Sequence, residues 1–199
     1  MNEQLWWYVA RSTGLVAWAV LTLSLLWGIA LSTRLLGKKA RPAWLLDLHR
    51  YLGGLATVFT GVHLAALVAD SYVDFGAVDL LVPMASAWRP GPVAWGVAAL
   101  YLLVAVEVTS LAKKRLPMKV WRKAHLLSLP LWVTATAHFA LAGTDTANRL
   151  AQWALVVAMV ATLFTTIVRV LSPKPDRRSG QPAQREMSAS RMAATAGAP

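Results

Sequence analysis

Two stretches of this sequence decide the fold: LHRYLGGLATVFTGVHLAALVAD at residues 48–70 and WRKAHLLSLPLWVTATAHFALAGT at residues 121–144. Each is apolar and longer than the about 20 residues that a helix needs to cross a bilayer. Each carries one histidine near either end, and these account for all the histidines of the chain: His49, His63, His125 and His138. Because a polar side chain at membrane depth is costly, each is a candidate functional residue.

The spacing of these histidines predicts how they pair. Within one stretch, thirteen or fourteen residues of α-helix separate the two side chains by about 20 Å, too far to share one ion. We therefore expect pairing between the helices at two levels, His49 with His125 and His63 with His138. No cysteine and no nearby carboxylate is present to complete a zinc shell. Two facing imidazoles across an apolar gap suit haem iron, so the pattern predicts two bis-histidine b-type haems. The alternative is four structural histidines that hydrogen-bond neighbouring helices.

Helical geometry predicts a distortion between His125 and His138. At about 100° per residue, thirteen residues turn the two side chains to different faces, whereas fourteen nearly preserve the face. Pro130 lies in this interval and lacks a backbone N–H, so we predict a kink there. Ser128 and Thr134 are expected to bond the carbonyls that proline frees. In the first stretch we expect a flat macrocycle to lie against three glycines, namely Gly53, Gly54 and Gly61.

Composition and charge indicate a membrane protein. The chain is 57% hydrophobic with a mean hydropathy of +0.49, which is too apolar for an ordinary soluble domain. Its net charge of +11 comes from basic clusters between apolar segments, which is the pattern of cytoplasmic loops and not of nucleic-acid binding. We therefore expect lipid, and no nucleic acid, around this protein.

The apolar segments predict an all-α, polytopic bundle of five transmembrane helices, roughly at residues 6–35, 44–69, 93–112, 121–144 and 150–171. No basic region precedes the first helix, so we expect it to be retained and not cleaved. Residues 1–171 are expected to form one domain and residues 172–199 a disordered cytoplasmic tail. Between the second and third helices, a short apolar patch predicts an interfacial helix or cap over the outer haem.

Lysine and arginine predict the orientation. Three clusters fall at alternate helix ends: Lys38, Lys39 and Arg41; Lys113, Lys114, Arg115, Lys119, Arg122 and Lys123; and Lys174, Arg177 and Arg178. These ends are expected to be cytoplasmic, with the N-terminus outside and the C-terminus inside. The level of His49 and His125 is then the inner one, and the level of His63 and His138 the outer one.

Other charged residues in or near the apolar segments have two interpretations each. Arg11 lies near the predicted outer level and is a candidate partner for a haem propionate, or it extends to the lipid headgroups. Glu107 is either an interface carboxylate paired with Arg50 or Arg34, or a proton acceptor coupled to the inner haem. The propionates of the inner haem have three candidate partners, namely Arg50, Arg122 and Lys123. The alternative is that these residues only set the topology.

The histidine pattern resembles the ferric reductase-like transmembrane domain, over roughly residues 8–171. This domain is shared by ferric-chelate reductases, NADPH oxidases and the haem subunit of periplasmic methionine-sulfoxide reductase. The resemblance implies haem ligation by all four histidines, and an arginine at the outer end of the preceding helix fits Arg11. Many members have six spans, whereas we expect five here. Eukaryotic ferric reductases and NADPH oxidases continue into a cytoplasmic flavin and NADPH domain, and we expect no such domain in the residues that follow 171.

We therefore expect a di-haem electron-transfer component of an oxidoreductase in the bacterial plasma membrane. A separate flavoprotein or other reductase on the cytoplasmic side would donate electrons, and an acceptor outside would receive them. One alternative is a haem-free membrane scaffold or transporter-like protein. Another is a quinone-linked cytochrome, for which the sequence identifies no pocket.

Overall fold

The computed structural model describes residues 4–33, 43–70, 73 and 75–172, and within these ranges every regular element is helical. The α-helices are α1 (Gln4–Ser32), α2 (Ala43–Ala69), α3 (Ala77–Leu81), α4 (Pro90–Leu111), α5 (Met118–His125), α6 (Ser128–Ala142) and α7 (Arg149–Leu171). Short 3₁₀ helices follow α4 and α6, at Ala112–Lys114 and Thr144–Ala147.

Five segments are long and apolar enough to cross a membrane. They are α1, α2, Pro90–Lys114, Met118–Ala142 and α7. A helix satisfies its own backbone hydrogen bonds and therefore tolerates lipid around it. The prediction of an all-α, five-span, multi-pass membrane protein is confirmed.

The second histidine segment is a broken helix, as predicted. α5 ends at His125 and α6 begins at Ser128. Pro130 has no N–H for the carbonyl of Leu126, which instead accepts from the N–H of Leu129 in a tighter turn (3.2 Å). The predicted role of Thr134 is wrong, because its hydroxyl bonds the carbonyls of Pro130 and Leu131 and not the one that proline frees.

The centre of the bundle is a reciprocal hydrogen-bonded contact between α1 and α6. The indole N–H of Trp18 donates to the hydroxyl of Thr136 (3.0 Å), and the indole N–H of Trp132 donates to that of Thr22 (2.9 Å). All four side chains are buried, and Trp18 also stacks on Phe139 with centroids 4.6 Å apart. Buried donors that find acceptors across the interface stabilise helix pairs in lipid.

The connection between α2 and α4 contains the predicted short helix, α3. Asp79 accepts a hydrogen bond from the N–H of Gly76 (2.9 Å) and so helps to start α3. Phe75 is buried with Val93 and Val97 of α4, and Trp88 packs against this cluster. The connection is therefore folded onto the end of α4.

Several predictions fall outside the described residues. These concern Arg34, the first basic cluster (Lys38, Lys39 and Arg41), the third (Lys174, Arg177 and Arg178) and the tail from residue 173 onward. By its internal contacts the chain divides into one unit of residues 1–169 and another of residues 170–199. Of the second unit, the structure describes the end of α7 and Ser172.

Candidate functional site

The four histidines meet in the two predicted pairs. The ring centroids of His49 and His125 are 5.9 Å apart with planes at 87°, and those of His63 and His138 are 6.5 Å apart with planes at 70°. The break between α5 and α6 lets one segment present both of its rings to α2. These two pairs, the His49–His125 pair and the His63–His138 pair, form the candidate site.

Backbone carbonyls hold three of the four rings. The Nδ1 atom of His63 lies 2.7 Å from the carbonyl oxygen of Ala10, and that of His49 lies 3.1 Å from the carbonyl oxygen of Ser24. On the other side, the Nδ1 atom of His138 lies 2.9 Å from the carbonyl oxygen of Pro92. Since a carbonyl only accepts, Nδ1 carries the proton in each ring, and Nε2 is the atom left to bind a metal.

A glycine follows each of these carbonyls by four residues, which is one helical turn. A Cβ atom at Gly14 would lie 2.9 Å from Nδ1 of His63, and one at Gly28 would lie 2.9 Å from Cε1 of His49. At Gly96 it would lie 2.8 Å from Cε1 and Nδ1 of His138. The missing side chains therefore make the space in which each ring lies against a neighbouring helix.

The sequence analysis missed these glycines and named others. Gly54 and Gly61 are exposed, and at about 100° per residue they lie on a different face of α2 from His49 and His63. The expectation that these two glycines line a macrocycle is therefore not supported. The signal that would have found the correct ones is the spacing in α1. Gly14 and Gly28 are fourteen residues apart, as are His49 and His63 on the helix that packs against α1.

The fourth ring has different surroundings. Nδ1 of His125 lies 3.4 Å from the hydroxyl oxygen of Ser110, and no backbone carbonyl is its partner among the described residues. Trp121 stacks on His125 with centroids 5.1 Å apart and planes at 19°, and the ammonium of Lys113 lies 4.1 Å from the centre of the Trp121 ring. The ring of His125 therefore lies beside an indole that also contacts a lysine ammonium.

An apolar cavity adjoins the His63–His138 pair. Its wall includes Arg11, together with Leu80 and Trp88 of the connection between α2 and α4. The structure therefore places Arg11 on the wall of the cavity beside His63, and its role as a propionate partner stays a prediction. The connection between α2 and α4 thus reaches the wall of this cavity, and its role as a cap over a haem stays a prediction.

Glu107 lies at the contact between α4 and α2, and the structure tests one of its two predicted partners. Arg50 pairs with Asp47 on its own helix at 3.0 Å, and Arg34 lies outside the described residues. The Oε1 atom of Glu107 instead faces Gly53, where a Cβ atom would come within 3.0 Å of it. Glu107 therefore marks the contact between α4 and α2.

The two pairs fit haem iron better than a metal held by protein ligands alone. A metal–imidazole bond is about 2.0 Å and a ring nitrogen lies about 1.1 Å from the ring centre, so two rings on one ion have centroids about 6 Å apart. Both measured separations are close to this. Within the described ranges, no three His, Cys, Asp or Glu residues cluster as a metal site would require. Haem would bring most of the ligands of its iron with it, so the two imidazoles of one pair would be enough to hold it.

A family model described as "Ferric reductase like transmembrane component" matches residues 13–136, more than half of the chain. The chain belongs to this family. The match includes His49, His63 and His125 and ends two residues before His138. No curated protein and no solved structure shows significant similarity to the chain. Membership of the ferric reductase-like family indicates a role in transmembrane electron transfer, and domains of this family generally bind haem.

Proposed function

We propose that this protein is a b-type di-haem subunit that carries electrons across the membrane. The observation that carries the proposal is the meeting of all four histidines in two facing pairs whose separations suit one ion each. His49 and His125 would hold one haem, and His63 and His138 the other. Haem supplies a one-electron redox centre at each level, and the levels lie about 20 Å apart along α2.

The distribution of charge supports a direction of transfer. Six lysine and arginine residues lie between α4 and the end of α5, next to the His49–His125 pair: Lys113, Lys114, Arg115, Lys119, Arg122 and Lys123. The opposite side carries three arginines, Arg11, Arg89 and Arg149, together with aspartates that include Asp70 and Asp79. The positive-inside rule makes the first side cytoplasmic, with the N-terminus outside. An electron moving outward then follows the membrane potential, worth about 2.3 kcal/mol per 100 mV.

The chain's own residues would position the cofactors and exclude water. The carbonyls of Ala10, Ser24 and Pro92 fix three imidazoles in the tautomer that leaves Nε2 for iron. The guanidinium of Arg11, on the wall of the outer cavity, is suited to pair with a propionate. Folded residues of the connection between α2 and α4 cover this cavity.

A complete electron path requires partners on both sides. A separate flavoprotein or other reductase would supply electrons at the basic cytoplasmic surface, and an acceptor outside would take them. The chain would then be one component of an oxidoreductase in the bacterial plasma membrane. In this proposal residues 1–171 form the haem domain, and residues 172–199 a cytoplasmic tail.

Absorption spectroscopy of the full chain, purified in detergent, tests the cofactor directly. We expect a reduced b-type spectrum and about two haems per chain, both six-coordinate and low-spin. Replacing His63 or His138 with Ala should remove one haem and retain the other, and Thr57→Ala on the exposed side of α2 is the control. Folded wild-type protein without haem overturns the proposal and favours a haem-free scaffold.

A separate measurement tests orientation. A C-terminal reporter that is active only outside the cytoplasm should remain silent, and the same reporter at the N-terminus should be active. The reverse result contradicts the direction of electron transfer while leaving the haem assignment intact.

A further inference from the structure

The rings of His63, His49 and His138 share one arrangement, and His125 departs from it. In the shared arrangement the imidazole donates to a helix carbonyl, and a glycine one turn later makes room for the ring. On α4, the position fourteen residues after Pro92 is Val106, and the position fourteen after Gly96 is Ser110. The fourth site therefore has a serine where the other three have glycine.

The Cβ of Ser110 occupies the space that a glycine would leave, and this separates the fourth site from the other three. The hydroxyl of Thr109 donates to the carbonyl of Val106 at 3.1 Å, besides that of Ala105 at 2.7 Å. This contact alone does not keep an imidazole away, because Thr13 donates to the carbonyl of Ala10 at 3.3 Å while His63 binds the same carbonyl. The contact left to His125 is the Ser110 hydroxyl at 3.4 Å, longer than the 2.7–3.1 Å of the three carbonyl contacts.

We propose that Ser110 is a positioning residue for His125, and that its hydroxyl gives the His49–His125 centre a higher midpoint potential than a carbonyl anchor would. The inference rests on the proposed function, because it concerns the haem that this pair would hold. A hydrogen bond from a ligating imidazole to a strong acceptor raises the basicity of the ligand and so favours the oxidised metal. A hydroxyl at 3.4 Å is a weak acceptor, so it favours the reduced metal by comparison.

Two cations near His125 also favour a higher midpoint potential of the His49–His125 centre. The charges of Lys113 and Arg169 are within electrostatic reach of His125, and Arg169 donates to the hydroxyl of Ser32. Positive charge near a redox centre stabilises the form that has gained an electron. The inner pair therefore combines a weaker ligand anchor with a positive surrounding, and the outer pair has two carbonyl anchors at 2.7 and 2.9 Å.

Four variants of the full chain in lipid nanodiscs test this role. Ser110→Ala removes the hydroxyl and keeps the Cβ, so His125 loses its partner. Ser110→Gly combined with Thr109→Val removes both the Cβ of Ser110 and the threonine hydroxyl, so that His125 can approach the Val106 carbonyl as the other three rings approach theirs. Ser110→Thr retains a hydroxyl and is the conservative control. Thr109→Val alone controls for the threonine.

The readouts are a potentiometric titration at fixed pH and the EPR spectrum of the oxidised protein. The His63→Ala variant, which should retain only the inner centre, identifies the potential and the signal of that centre. We expect the inner midpoint potential to rise in Ser110→Ala and to fall in the double variant, with the outer potential unchanged. The inner low-spin signal should change in Ser110→Ala, because the ring can rotate. It should return to the wild-type form in Ser110→Thr.

Each other outcome has a defined meaning. If the inner potential and signal of Ser110→Ala match the wild type, or if both centres shift together, Ser110 does not position His125. If Ser110→Ala loses the inner haem, the role is supported when Ser110→Thr retains that haem. The role is contradicted when Ser110→Thr loses it as well. A wild-type protein with no haem refutes the proposed function itself. This differs from a protein that binds two haems whose potentials and signals do not change when Ser110 is replaced.

Discussion

Substitution of Gly96 by alanine tests the close contact between α4 and the ring of His138. A methyl group at this position would lie 2.8 Å from Cε1 and Nδ1 of His138 and 3.1 Å from Cγ. Normal carbon contacts are about 3.5–4.0 Å, so the ring has to retreat by about 0.7 Å. Nδ1 is bound to the carbonyl of Pro92 at 2.9 Å, and this hydrogen bond lengthens when the ring moves.

The size of the effect follows from three contributions. Overpacking costs about 1–3 kcal/mol, and a weakened hydrogen bond costs about 1 kcal/mol. Replacing a helical glycine by alanine returns about 1 kcal/mol. The net destabilisation is about 1–3 kcal/mol, which corresponds to a loss of about 5- to 150-fold in affinity if it falls on haem binding at this pair.

The assay compares haem content and midpoint potentials of Gly96→Ala with those of Gly54→Ala. A methyl group at Gly54 meets nothing within 4 Å, so this control should keep both haems and lose no stability. Gly96→Ala should weaken the His63–His138 centre and leave the other centre unchanged. Full occupancy of both centres in Gly96→Ala, with unaltered spectra, would show that the glycine does not make room for the ring.

Three further changes have defined outcomes. Pro130→Ala restores an N–H for the Leu126 carbonyl, so the break should close and the His63–His138 haem weaken while the other persists; haem content and spectra check this, and two unchanged haems would count against it. Thr136→Val removes the acceptor of the buried Trp18 indole and should lower the unfolding free energy by about 0.6–1.7 kcal/mol in detergent. Thr134→Val is its control, since that hydroxyl bonds its own helix, and an equal loss in both variants would refute the cross-helix role. Met84→Gly should raise stability by about 1 kcal/mol in thermal unfolding, because exposed Met84 has a φ of 68°; a decrease would mean that the methionine side chain makes a stabilising contact.

The number of spans and the helical class could be predicted from the sequence because both depend on local properties. The length and apolarity of a segment decide whether it can span a bilayer, whatever its neighbours are. The pairing of the histidines could also be predicted, since helical rise alone forbids pairing within one segment. Pro130 indicated the break for the same reason, because a missing N–H is a property of the residue itself.

The partners of each ring were decided only by the tertiary structure. Ala10 and His63 are 53 residues apart, and Pro92 and His138 are 46 apart. Which carbonyl meets which imidazole depends on the rotation of two packed helices about their axes, and apolar segments without a polar face do not encode that rotation locally. For the same reason the sequence analysis chose the glycines nearest the histidines in the chain and missed those on the neighbouring helices. The difference between Ser110 and the three glycines is visible in the sequence, but its meaning depends on the ring that α5 places beside it.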